Sequence, residues 1–376
     1  MAFKLSYAWS PEKAWIGYRT GVSLHSHTSL SKESLDILIE HGARNPVVSW
    51  LVEREQQRCA RRHGKRIDFG RAYWTSPVTP HEAFSLECRQ IEKDLGLHPL
   101  VSLTDHDEIE ANRLLQLIDG GHEIPISVEW TVPFENTFFH FGVHNLPKND
   151  AAALHRAMQA HRKSPASWEL VGLLQHLVSN PGVVVILNHP LWDEAGIGIA
   201  NHEALLSRLL QRTKGLVHAL ELNGLRPWTE NRKVVRIAES CGIPAVSGGD
   251  RHGFEPNALV NVSNAASFCE FAEQIRAGHS YVLLMPQYRE NRKLRCLQTA
   301  WDMIREHPQH AFGQVTCFDR SYFIRENGEA VALSSLFTDG TPPTIARVLR
   351  AFRFLECPQL RPALRVALSD REGLPS

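Results

Sequence analysis

Two histidines sit one residue apart in VSLHSHTSL (Val22–Leu30), directly after an apolar alternation. Alone, His25 and His27 could be an incidental pair in a chain with 20 histidines. They could equally be half of a metal site whose other half lies elsewhere. What ends the other apolar runs favours the second reading. Asp105, His106 and Asp107 follow HPLVSLT, Glu129 follows IPISV, and His140 follows TFF. His189 closes VVVILNH, and Asp250 and His252 follow IPAVSGG. Imidazole with carboxylate suits zinc, manganese or iron, and a set this large suits two or three divalent ions. Ions a few ångströms apart can hold a hydroxide between them and clamp phosphate oxygens, which requires no serine or cysteine nucleophile.

Residues this far apart in sequence need a scaffold that gathers strand ends. Val22 to His27 reads as a short strand in which His25 and His27 point the same way. TPHE (Thr79–Glu82) is a capping box with proline at the first helical position. Phe84, Cys88, Ile91 and Leu95 then repeat at helical spacing until Gly96, and HPLVSLTDHD returns as a buried strand. PGVVVILNHP, GLVHALELNG and the stretch Asn231–Gly253 repeat the theme, so a parallel sheet or an α/β barrel is expected. In a barrel, loops at the carboxyl ends of the strands meet on one face. A further helix is expected over residues 45–64, with Asn45 as its cap, Pro46 at its first turn and a basic far end. From about residue 290 the texture changes. FIRENGEAVAL carries an Asn-Gly turn and suggests a hairpin, and Thr344 to Glu356 reads as helix.

Bulk properties narrow the classes. Lys plus Arg and Asp plus Glu both total 41, so the net charge is zero. A generic nucleic-acid binder would carry excess positive charge. The seven cysteines are scattered without a C-x-x-C pair, which argues against a disulfide framework or a zinc ribbon. The N-terminus lacks an apolar signal region, and no run approaches ~18 apolar residues, so a cytoplasmic protein with no membrane span is expected. No P-loop, G-x-G-x-x-G or G-x-S-x-G is present.

LHSHTS, LTDHD, VEW with HFG, LNHP and GGDRHG occur in that order over about residues 20–255. In this the chain resembles the PHP (polymerase and histidinol phosphatase) family of metal-dependent phosphoesterases. The resemblance implies a distorted seven-stranded (β/α)7 barrel over residues 1–289 and leaves 290–376 as a mainly helical appendage. It implies a metal cluster with His25, His27, Glu129 and Asp250 around one ion and Glu129 bridging to a second. His106, His140, His189 and His252 would complete the set. Two or three divalent ions (Mn, Zn or Fe) are the implied cofactors. The implied activity is hydrolysis of a phosphate ester by metal-activated hydroxide. A small phosphorylated molecule or a short nucleic-acid end is the expected substrate.

Two departures from the family pattern matter. Five residues after His27, where the family has aspartate, this chain has Lys32. Either one ion is lost, or Glu33 or Asp36 supplies the carboxylate, and Lys32 could instead hold a substrate phosphate. Residues 31–78 are also longer than the usual link and could form a lid or wall. Arg251 and Arg226 are further candidates for phosphate contacts, with surface pairing an equal option for Arg226. Asp105 and Asp107 could cap a helix or orient ligands, His144 reads as structural, and Glu221 and Asn223 read as loop organisers. An amidohydrolase-type barrel also opens with H-x-H, and a degenerate domain that only binds a partner is the non-enzymatic alternative.

Overall fold

The computed structural model describes residues 2–35, 46–64, 66, 68–118, 121–336, 343–353 and 357–368. Asn45, Asp36 and the end of the helix expected to reach Glu356 lie outside the described residues.

Short apolar runs form the strands, and two five-stranded sheets carry the body of the chain. The first has β1 (Ala2–Tyr7), β12 (His279–Leu284), β11 (Leu259–Ser263), β2 (Thr20–Ser23) and β5 (His98–Val101) side by side. The second has β10 (Ala245–Gly248), β9 (Ala219–Asn223), β8 (Val184–Leu187), β7 (Thr137–Leu146) and β6 (Ile126–Phe134). Pairing is mixed. β11 runs antiparallel to both neighbours, and β6, β7 and β8 are successively antiparallel. β8, β9 and β10 are parallel.

The structure is therefore mixed α/β, but the expected barrel is not closed: no sheet among the described residues forms a cylinder. The two sheets meet at seams spanned by single bridges, His106 to Glu129 and Ser26 to Arg251. Ladders need consecutive extended residues on both sides, and at these seams Ser26, Arg251 and His106 lie beyond their strands, so only single bridges form. β2 ends at Ser23, so His25 and His27 lie beyond the strand the alternation suggested.

Helices cover the sheets: α1 (Pro46–His63), α2 (Pro80–Gln90), α3 (Glu110–Leu115), α4 (Ala151–Lys163), α5 (Ser167–Val178), α6 (Ile199–Arg212), α7 (Trp228–Cys241), α8 (Phe268–Arg276) and α9 (Arg292–Ile304). The capping box that starts α2 is formed in both directions between Thr79 and Glu82. Gly96, at φ 67°, ends the helical segment that follows α2. The largest apolar core lies against the second sheet, with Trp130, Phe141, Leu174, Leu187, Leu209 and Leu222 essentially buried. No helix among the described residues is long and apolar enough to cross a membrane.

A third sheet joins two parts of the chain that looked separate in sequence. Its order is β14 (Ala330–Ala332), β13 (Ser321–Ile324), β4 (Ala72–Trp74) and β3 (Glu33–Ser34). β13 and β14 are the hairpin expected at the Asn-Gly turn, with Gly328 at φ 85°. β3 and β4 flank α1 at the two ends of the 31–78 insert. The insert and the C-terminal segment thus build one structure.

Candidate metal centre

The loops after the strands are zipped together by their own backbones. Asp250 N–H donates to His25 O at 2.9 Å and His27 N–H donates to Arg251 O at 2.8 Å. This lays the His25–His27 segment beside the Asp250–His252 segment and brings the rings of His27 and His252 to 4.1 Å. Thr104 N–H reaches Ser26 O, and His106 N–H reaches the Ser31 hydroxyl, which draws His106 to the same place. Glu129 and His140 share one hairpin. Glu129 pairs with Gly142, so His140, two residues before Gly142, lies diagonally across on the same face. That register is the physical meaning of their eleven-residue separation. His189 follows β8 and is held by a bond from its N–H to Glu221 at 2.7 Å. Asp107, His189 and Asp250 have φ of 51°, 27° and 52°. Non-glycine residues in this left-handed region store strain, and such strain gathers at functional sites.

Five of the expected ligands, His25, His27, His106, His140 and His189, converge on Glu129, which is fully buried, while Asp250 and His252 join the cluster beside His27. Its Oε2 lies 3.0 Å from His25 Nε2, 3.3 Å from His27 Nε2 and 3.3 Å from His106 Nδ1. Its Oε1 lies 3.1 Å from His189 Nε2 and 3.6 Å from His140 Nδ1. Asp250 Oδ1 is 3.4 Å from His27 Nε2 and 3.7 Å from His25 Nε2, and the two Nε2 atoms are 3.1 Å apart. A tetrahedral ion with bonds of about 2.0–2.1 Å holds its ligand atoms about 3.3–3.4 Å apart. The atoms of His25, His27 and Glu129 have about the edge lengths of one face of such a cage, and Asp250 Oδ1 lies beside the two imidazoles. The donor set therefore fits a divalent cation. The groups His106–Glu129–His140 and His27–Glu33–His106–His252 are likewise close enough to share one.

The charges support this. Burial pushes the His25 imidazole down, but Glu129, Glu221 and Asp250 together outweigh it and hold it well above its usual range. Burial likewise opposes ionisation of Glu129, yet His25, His106 and His140 hold it well below the usual carboxylate range. His27 is pushed down to about 4 by burial and by His252. His252 is raised to about 9, because Glu33 and Asp250 outweigh its burial. Buried carboxylates thus keep protons on several imidazoles, and a metal cation would take the place of those protons.

Outer partners orient the inner ones. Glu221 Oε1 lies 2.9 Å from His25 Nδ1 and leaves Nε2 facing the cluster, while its Oε2 accepts from His189 N–H. Gly248 leaves room for this carboxylate, since a Cβ there would overlap it. Asn188 donates to Glu129 Oε1 at 2.9 Å, and Asn223 donates to Asp250 Oδ2 at 3.0 Å. Glu221 and Asn223, expected to organise a loop, also touch the ligands directly. Replacing such a partner costs about 10–100-fold in metal affinity. Glu221→Gln should weaken metal binding by about that factor in a chelator competition, and unchanged affinity would refute the orienting role.

Asp105 accepts from Thr28 N–H and Oγ1, and Asp107 accepts from Thr131 and pairs with Arg162, so both position loops. His144 bonds to Ser102 and is structural, as expected. Arg251 is corrected: it is 3% exposed and its guanidinium is spent on Glu87, Ala83 O and Gly253 O, which leaves it no role as a phosphate clamp. Arg226 is paired with Glu230. Lys32 is exposed, and its ammonium lies 5.6 Å from the Tyr73 ring centre. Glu33 and Trp74 are register partners, so Tyr73 is on the opposite face of the small sheet, and the ammonium is turned from the cluster. Glu33, one of the two candidate carboxylates, lies 3.1 Å from His106 Nε2 and 3.5 Å from His252 Nε2.

Glu194 was not anticipated. It lies on the loop after His189, 3.7 Å from His140 Nδ1, and burial pushes its carboxyl up to about 7. Trp192, on the same loop, stacks edge-on against His189 at 5.0 Å. The only sequence signal was the acid five residues beyond His189, outside any strand end. The side chains of His106, His252, Glu33 and Glu194 are 12–16% exposed, whereas those of His25, His27 and Glu129 are at most 2%. The cluster opens to solvent on that side.

No known family model matches the chain, and no curated protein does. Solved structures resemble it weakly. An amidohydrolase from Chromobacterium violaceum with bound sulfate and no metal has 17% identity and a TM-score of 0.33, covering 48% of this chain and 84% of that one. PsfC from Pseudomonas syringae has 15% identity and a TM-score of 0.38, covering 55% and 84%. A Bifidobacterium adolescentis protein, described only provisionally as a metal-dependent phosphoesterase, has 16% identity and a TM-score of 0.32, covering 48% and 85%. Likenesses of this strength leave the reading to the site itself.

Proposed function

We propose that this chain is a metal-dependent hydrolase of phosphate esters, acting on a small phosphomonoester or a nucleotide or oligonucleotide end. The observation that carries the reading is the two-sided carboxylate of Glu129. His25, His27 and His106 gather at one oxygen and His140 and His189 at the other. Bound divalent ions would supply an activated hydroxide and charge to balance the phosphoryl oxygens. The residues of the chain then have distinct tasks. Glu221 and Asn223 fix the orientation of His25 and Asp250. Trp192 and Trp74, beside His189 and His252, flank the site. Glu194, whose Oε2 faces His140, can hold a proton and release it to the departing oxygen.

Protein purified without chelators should contain two or three equivalents of Mn, Zn or Fe by elemental analysis. It should hydrolyse members of a panel of phosphomonoesters and short oligonucleotides. Turnover of lactones or amides alone would point to amidohydrolase chemistry. Full metal occupancy with no turnover of any ester would leave a binding module.

A further inference from the structure

The side chain of Glu33 reaches the open edge of the cluster, between His106 and His252, and His27 Nδ1 is 3.6 Å from its Oε1. The strand that carries it, β3, has only two residues, and its sheet partner is β4. β4 in turn is paired on its other edge by β13, with Trp74 opposite Ser321 and Tyr73 opposite Tyr322. A two-stranded fragment of this length has little stability of its own in water. The support comes from the C-terminal segment. Tyr322 stacks on Tyr73 at 5.1 Å, and Thr75 N–H donates to Arg320 O at 2.8 Å. Arg320, 1% exposed, donates to the carbonyls of Met303, Arg305 and Gln314 and so ties β13 to the end of α9. The same small sheet meets the cluster a second time. Trp74 lies 5.9 Å from the His252 ring, and Ser76 Oγ donates to His252 O at 2.7 Å.

We propose that Glu33 serves as a cation ligand together with His106 and His252. We further propose that the C-terminal segment, through β13, holds it there, so that loading of this one position depends on residues 321–324. The proposal rests on the metal-centre reading above and adds a role for the region after residue 290. The carboxylate arrives on a strand edge, with Lys32 just before it. The lysine turns to the far face of the same sheet.

The test is Mn2+ titration of the chelator-stripped full-length protein, with bound metal counted directly. Glu33→Ala, a change at a partly exposed position, should bind one equivalent fewer than the unaltered chain and retain the rest. Tyr322→Pro removes a strand donor and the Tyr73 stack. It should lower Mn2+ affinity at that same position by at least tenfold while circular dichroism stays unchanged. If the unaltered chain binds no Mn2+, the metal-centre reading itself falls. If it binds its full complement and Glu33→Ala binds the same number, the ligand role of Glu33 is overturned and the rest of the centre stands. If Glu33→Ala loses an equivalent but Tyr322→Pro, or Tyr322→Ala should the proline variant not fold, titrates like the unaltered chain, the dependence on the C-terminal segment is overturned.

Discussion

Glu129→Gln should reduce turnover of any phosphate ester by about 1,000-fold or more, the equivalent of about 4 kcal/mol of lost charge stabilisation. It should also lower the bound metal. Both carboxylate oxygens are in use, Oε2 toward His25, His27 and His106, and Oε1 toward His189, His140 and Asn188. An amide keeps the shape but replaces one of those oxygens with a donor, and it removes the charge shared by the two sides of the cluster. No neighbouring group can substitute. Asp250 faces His25 and His27 and lies on their side only, and Glu33 faces His106 and His252. Elemental analysis and initial rates on the most active ester of the panel read the outcome. A variant that keeps its full metal content and more than a tenth of its rate would contradict the central place given to Glu129.

The largest effect on stability is expected one residue away. Trp130 is completely buried and points into the apolar core on the face of β6 opposite Glu129. Its indole N–H donates to Met158 O at 3.1 Å on α4, and its ring packs near Phe141 and His161. Trp130→Ala removes a large apolar volume from the hairpin that carries both Glu129 and His140. The expected cost is about 3–5 kcal/mol. Urea unfolding should show this as a lower midpoint. The folded variant at low temperature should still bind metal, because the truncated side chain lies on the far side of the strand. A midpoint shift worth less than about 1 kcal/mol would mean that the core collapses around the gap.

Much of the cluster was legible along the chain because its residues share one local signature. His25, His27, His106, His189, Asp250 and His252 each stand just past an apolar run, where a chain leaves a sheet and reaches solvent or a site. The separation of Glu129 and His140 was informative for a different reason, since a tight hairpin converts a fixed number of residues into a shared face. Helix signals with a self-contained chemistry were equally readable. The capping box at Thr79–Glu82 satisfies its own backbone donors and needs no distant partner.

What could not be read depended on partners remote in sequence. Arg251 has the chemistry of a phosphate clamp, but Glu87, 164 residues away, claims its guanidinium. Lys32 and Glu33 are adjacent and both charged. Which one faces the cluster is decided by pairing of β3 with β4, and that pairing is braced by β13 nearly 300 residues later. Glu194 became a site residue only because its loop folds back over His140. The division into two sheets rather than one closed barrel also depends on how strands end at the seams. Residue type and spacing along the sequence determined which groups could hold a cation. Tertiary structure alone decided which of them face one another, because orientation and burial are set by contacts between segments that carry no local mark of their pairing.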